Sequence, residues 1–342
     1  MNLQVDGKAA FAYTAAHALD PKKPAMVFIH GAGLDHSSFG LQSRYFGYHG
    51  WNVLALDLPG HGRSEGPAIA SIAGMADWLF RGLDFLEIER ASLVGHSMGA
   101  LVALEAAQRH GARVARVACL GVAYPMKVSE AFLGAAQRND HAAYDMETIW
   151  GHAPQVPLGG NPNPGMWMYG DMLARLRRLA PGVLYNDLKA CDEYRSDFSG
   201  VRCPVLLVLG RRDMMTPPRG AAALQKMPSA TTVLVELSGH SLMAEAPDAT
   251  LDALIGFFAA AGWVLALLLP RAFVARVELR EPEHERRVGG EVAELVALFE
   301  IDLERRRRER QPRHGADHRP AEREPDRAQP QASDARAPPG RG

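Results

Sequence analysis

The sequence predicts an α/β fold: a mainly parallel sheet of eight strands flanked by helices, with a helical insertion ahead of the last two strands. Three observations predict it. Short apolar, β-branched runs alternate with helix-patterned segments across residues 1–262. Several of these runs are apolar throughout, as strands covered by helices on both faces are. The alternation then lapses between about 125 and 200, where Met, Trp, Tyr and Pro accumulate, as in the segment 160–172.

In chain order, short strands near 2–6 and 9–14 flank the turn Asp6-Gly7 and are expected to lie antiparallel at one edge. The runs at 25–30, 52–58, 91–96 and 116–121 supply the next four strands, and those at 205–210 and 231–237 the last two. Helical patterns fall at about 68–88, 98–110, 219–227 and 247–260. The predicted organisation is therefore a core of 1–124 and 200–262, an inserted cap or lid over 125–199, and a tail over 263–342. An insertion on the side where strands end is well placed to cover a site.

With 342 residues and 47% apolar residues the chain can bury a large core. Its formal net charge of −1 gives no reason to expect nucleic acid as a partner. Cys119, Cys191 and Cys203 follow neither a metal-ligand nor a disulfide pattern, which fits the cytoplasm, and no basic-then-apolar leader opens the chain. The tail differs in composition. Residues 271–342 hold 16 of the 32 arginines and none of the six lysines, with the run Arg305–Arg308 and a proline-rich end. It reads as mostly disordered, with one amphipathic helix over 291–303. The abrupt change suggests a frameshifted or read-through segment fused to a complete α/β domain, which truncation at Gly262 would test. Residues 253–270 lack charge, but their first half completes the last core helix, so no membrane anchor is expected.

The sharpest local signal is Gly95-His96-Ser97-Met98-Gly99, set between an apolar strand and a strong helix pattern. A serine at a tight strand-to-helix turn is forced into a strained backbone that lifts its hydroxyl clear of the sheet. A serine hydroxyl needs a base, a carboxylate to orient that base, and donors for the oxyanion. Asp213 follows the strand at 205–210 and His240 follows the strand at 231–237, one candidate for each role. The oxyanion donors are expected to be the N–H of Met98 and an N–H from the glycine-rich turn 30–33, Ala32 first and Gly33 second.

Five motifs now stand in order: HGAG (30–33), DLPGHGRS (57–64), GHSMG (95–99), GRRDMMTP (210–217) and GHSLMAEAP (239–247). Together they resemble the α/β-hydrolase superfamily, in its cap-bearing branch of bacterial esterases, lactonases, perhydrolases and carbon–carbon hydrolases. The resemblance spans residues 1 to about 260. It implies an α/β-hydrolase fold and a Ser97–His240–Asp213 triad that needs no metal or cofactor, and it leaves the substrate open.

Asp57 is the rival carboxylate, assigned here to its own turn. His30, His61 and His96 read as structural, and His36 as a solvated loop residue. Trp150, Trp167 and Met126 are the candidate substrate contacts, in a cap whose aromatics and methionines serve either as core or as pocket wall. A small, apolar carboxylic ester is the default substrate, with lactone or thioester behind it. The alternatives are a carbon–carbon hydrolase of ring-cleavage products, which needs cations such as Arg63, Arg138 or Arg195 for a carboxylate, and a non-hydrolytic ligand-binding protein.

Overall fold

A computed structural model describes residues 1–158 and 167–259. Eight strands form one sheet: β1 (Asn2–Val5), β2 (Lys8–Tyr13), β3 (Ala25–Ile29), β4 (Asn52–Asp57), β5 (Ala91–His96), β6 (Val114–Leu120), β7 (Val205–Gly210) and β8 (Ala230–Val235). Their order is β1-β2-β4-β3-β5-β6-β7-β8. The pairs β1–β2 and β2–β4 are antiparallel and every later pair is parallel. The sheet and its antiparallel edge match the expectation from sequence. Strands β3, β4, β5 and β7 are buried at every residue, which is why they read as unbroken apolar runs.

The helices are α1 (Gly40–Tyr48), α2 (Ile72–Phe85), α3 (Met98–Arg109), α4 (Glu130–Gln137), α5 (His141–Trp150), α6 (Met168–Leu176), α7 (Val183–Glu193), α8 (Leu242–Glu245) and α9 (Pro247–Ala259). Two apolar clusters cover the faces of the sheet. One takes Leu79, Leu83, Leu101 and Leu104 from α2 and α3 against Val27, Leu54, Leu93 and Val117. The other takes Phe46 and Phe258 from α1 and α9 against Met26, Phe28 and Val94. Helices α4 to α7 follow β6 and precede β7, within the stretch where the alternation lapses.

Two local expectations need correction. The segment 219–227 is not one helix but two short 3₁₀ turns, Pro218–Ala221 and Leu224–Lys226. The Gly220 carbonyl, which a helix would use internally, accepts instead from Tyr124 N–H at 2.9 Å. Helix α1, by contrast, has no sequence signal, because its buried set is Gln42, Ser43, Phe46 and Gly47 rather than an apolar stripe. The tail at 263–342, its amphipathic segment and its proposed frameshift origin lie outside the described residues, as do 159–166 of the insertion. Among the described residues, no helix is long and apolar enough to cross a membrane.

Candidate active site

Ser97 caps α3 immediately after β5 and holds φ +52°, ψ −115°, a backbone that an L-residue adopts only under constraint. Its N–H continues the sheet ladder to the Leu120 carbonyl at 3.0 Å. The flanking glycines are steric necessities. A Cβ on Gly95 would run into the backbone of Gly99, and one on Gly99 would run into the Ile29 carbonyl. The turn can be this sharp only because both positions lack side chains.

Parallel neighbours β7 and β8 end on the same edge, and the loops beyond them bring two more of the expected residues together. His240 Nδ1 donates to Asp213 Oδ2 at 2.8 Å, with both side chains buried. Asp213 is held by three further bonds: the N–H groups of Met215 and Thr216 reach Oδ1 at 2.9 and 2.7 Å, and the Thr216 hydroxyl reaches Oδ2 at 2.7 Å. Burial by itself would raise the Asp213 carboxyl, but His240 and these donors pull it below the usual carboxylate range. Burial likewise opposes charge on His240, and the Asp213 carboxylate overrides it, holding the imidazole above its ordinary value. Among the described residues, His240 Nε2 carries no hydrogen bond. A histidine so arranged has one nitrogen fixed as a donor and the other open as a base.

The loop carrying His240 is pinned from two sides. Glu245 accepts from the N–H groups of Gly239 and Ser241, and from Ala153 in the insertion, at 3.0, 3.1 and 2.9 Å. From below, His96 Nε2 donates to the His240 carbonyl at 3.0 Å, and the two rings lie 4.7 Å apart. Burial drives His96 down to about 3, so it stays neutral. Sequence reasoning missed Thr216 and Glu245. The Asp213-x-x-Thr216 spacing of a side-chain-capped turn was the available signal for the first, and nothing local marks the second.

The turn 30–33 packs against the serine elbow, where a Cβ on Gly31 would lie 3.3 Å from Ser97 Cβ. Gly33 N–H is already committed to Asp187 Oδ2 at 2.9 Å, which removes the second-choice oxyanion donor. Among the described residues, the N–H groups of Ala32 and Met98 have no acceptor, and Met98 opens α3, where no intrahelical acceptor exists. Asp57 sits apart from His240. It accepts from His36 N–H, His36 Nδ1 and Arg63 N–H, each at 2.8 Å, and so fixes its own turn.

A cavity of about 340 Å³ opens on this group, lined by Ser97, Ala32, Met126, Trp150, Glu147 and Thr216 among others. Two of the three expected substrate contacts, Trp150 and Met126, are therefore beside Ser97. The third is not: Trp167 is 78% exposed and borders a separate cavity of about 280 Å³. Its ring folds back over Gly170 in the first turn of α6. Arg63, Arg138 and Arg195 do not line the serine cavity either. A larger cavity of about 970 Å³ lies between the 33–37 loop, the 60–68 turn and the 175–186 segment, and includes neither Ser97 nor His240.

Comparison with known proteins identifies the family of the fold. A family model described as "Alpha/beta hydrolase family" matches residues 26–253. Pimeloyl-[acyl-carrier protein] methyl ester esterase of Neisseria meningitidis is 31% identical over 207 residues, 56% of this chain and 76% of that protein. (E)-2-((N-methylformamido)methylene)succinate hydrolase of Acinetobacter baylyi is 25% identical over 234 residues, 65% of this chain and 86% of that protein. Among solved structures, the enol-lactonase of Burkholderia xenovorans superposes with a TM-score of 0.66 at 21% identity, over 76% of this chain and all of that one.

Proposed function

The chain belongs to the α/β-hydrolase family, and from that premise we propose that it hydrolyses a carboxylic ester of a small molecule through Ser97. The observation that carries this reading is the buried Asp213–His240 pair, bonded at 2.8 Å with His240 Nε2 unoccupied. The esterase relative at 31% identity supports the same reaction class.

In this mechanism His240 Nε2 takes the Ser97 proton as Oγ bonds to the ester carbonyl carbon. Asp213 acts as a positioning residue, fixing the tautomer and stabilising the imidazolium. The tetrahedral oxyanion forms against the N–H groups of Ala32 and Met98, each contributing roughly 3 kcal/mol to the transition state. Collapse breaks the bond to the alcohol oxygen, which leaves with the proton from His240. Water, deprotonated by the same nitrogen, then releases the acid and restores Ser97. Helices α4 to α7 serve as the cap: they contribute Glu147 and Trp150 to the cavity wall. A cavity of about 340 Å³ suits a short acyl group, at the small end of ligand pockets. We place the enzyme in the cytoplasm, a reading supported by three unpaired, buried cysteines.

The test is hydrolysis of p-nitrophenyl esters from acetate to octanoate by wild type and Ser97→Ala. Turnover by wild type with a loss on the order of 10⁶-fold in kcat for the variant is expected. Equal rates in the two would overturn the serine mechanism.

A further inference from the structure

Among the described residues, Glu147 is the one acid lining the serine cavity, and the triad does not use it. It stands on α5 one turn before Trp150, and the residue is 4% exposed. Neither carboxyl oxygen hydrogen-bonds to a described residue, and Oε2 is fully enclosed without a partner. The wall it shares is otherwise largely apolar, with Met126, Phe132, Trp150 and Leu188. The cation in that wall, Lys127, is paired with Asp192 at 3.3 Å. Burying a carboxyl without a hydrogen bond is costly, and folded proteins supply partners for such groups. Asp213, Asp187 and Glu245, buried acids elsewhere among the described residues, all accept hydrogen bonds. Burial pushes the Glu147 carboxyl up to about 7. A partner that enters with the substrate would resolve this deficit. An N–H suits the position better than a hydroxyl, because it donates without adding lone pairs that an apolar wall cannot satisfy.

We infer that Glu147 determines specificity by accepting a hydrogen bond from an N–H group on the acyl portion of the substrate, so that esters carrying an amide or ammonium nitrogen are preferred over all-carbon chains. The acyl portion is the part held against Ser97 through both half-reactions. The inference rests on the hydrolase reading above and adds the substrate class to it.

The experiment uses the full chain and matched pairs of p-nitrophenyl esters. The N-acetyl derivatives of 3-aminopropanoate and 4-aminobutanoate are each compared with the ester in which CH₂ replaces N–H, and the free-amine esters form a third arm. Wild type is expected to favour the N–H ester of at least one length by roughly 10–100-fold in kcat/KM, the worth of one hydrogen bond to a charged group. Glu147→Leu should bring that ratio near one. Glu147→Gln should keep part of it for the amides, since its side-chain oxygen still accepts, and lose it for the ammonium esters. Both variants should melt no lower than wild type, because an unpartnered buried acid has been removed. A wild-type ratio near one for every pair, or the same preference in wild type, Leu and Gln variants, would overturn the inference while leaving ester hydrolysis intact. Absence of Ser97-dependent turnover on every ester would overturn the hydrolase reading and this inference with it.

Discussion

Among the described residues, two buried histidine–carboxylate pairs have nearly the same geometry, and they are built for different ends. Beyond the ends of β7 and β8, His240 Nδ1 bonds Asp213 at 2.8 Å, and among the described residues Nε2 carries no hydrogen bond. Where the insertion meets the core, His61 Nε2 bonds Asp187 of α7 at 2.7 Å, and its Nδ1 meets the Pro59 carbonyl at 3.1 Å. Two acceptors on one imidazole require both nitrogens to be protonated, so His61 is held as a cation. Burial disfavours that charge, but the Asp187 carboxylate outweighs it and raises His61 above its ordinary value. The same carboxylate oxygen also accepts from Gly33 N–H, so the pair ties α7 to the turn that carries Ala32. The lesson is that the far nitrogen, not the carboxylate, separates a general base from a strut.

Exchanging the damage is the strongest way to break this comparison. His240→Ala should abolish ester turnover, with a fall in kcat on the order of 10⁴-fold or more, and should cost less stability than loss of the strut, because three other donors still hold Asp213. His61→Leu should instead lose about 3–5 kcal/mol of stability, because it leaves Asp187 charged and buried without its cation. Denaturant titration and kinetics on both variants check the pair. A His61→Leu variant that melts like wild type would dissolve the distinction.

The pH dependence sharpens it further. His240 must be neutral to act, and its value is raised, so the acid limb of kcat/KM should lie above 6.5. Asp213→Asn removes the charge that raises it and should move the limb to lower pH. For His61 the sign concerns stability. Its folded value lies above that of the unfolded chain, so the pair stabilises fully below pH 6.5 and fades as pH rises through the folded value. The stability gap between wild type and His61→Leu should therefore narrow on the alkaline side, as urea titrations at several pH values would show.

The smallest effect expected is at Thr216, whose hydroxyl bonds Asp213 at 2.7 Å and stands 3.0 Å from His240 Nδ1. Thr216→Val keeps the shape and removes one donor to a charged group, so a loss of roughly 10-fold in kcat/KM is expected. KM should be nearly unchanged, since the hydroxyl acts through His240. A loss confined to KM would mean that Thr216 serves the cavity wall instead.

By itself the sequence determined the sheet, its antiparallel edge and the elbow at Ser97. These features are written in local periodicity and in glycines whose need is steric and nearby, as at Gly95 and Gly99. It also placed Asp213 and His240 just past strand ends, since residues there reach a common edge in any parallel sheet. Tertiary structure alone decided the rest. Gly33 lost its free N–H to Asp187, 154 residues away. Trp167 parted from Trp150, although both belong to the same insertion. Glu147 became an acid without a partner, and His61 a locked cation while His240 kept an open nitrogen. Each of these outcomes depends on which group from a distant segment supplies the second hydrogen bond, and pairing of that kind leaves no period or spacing in the chain.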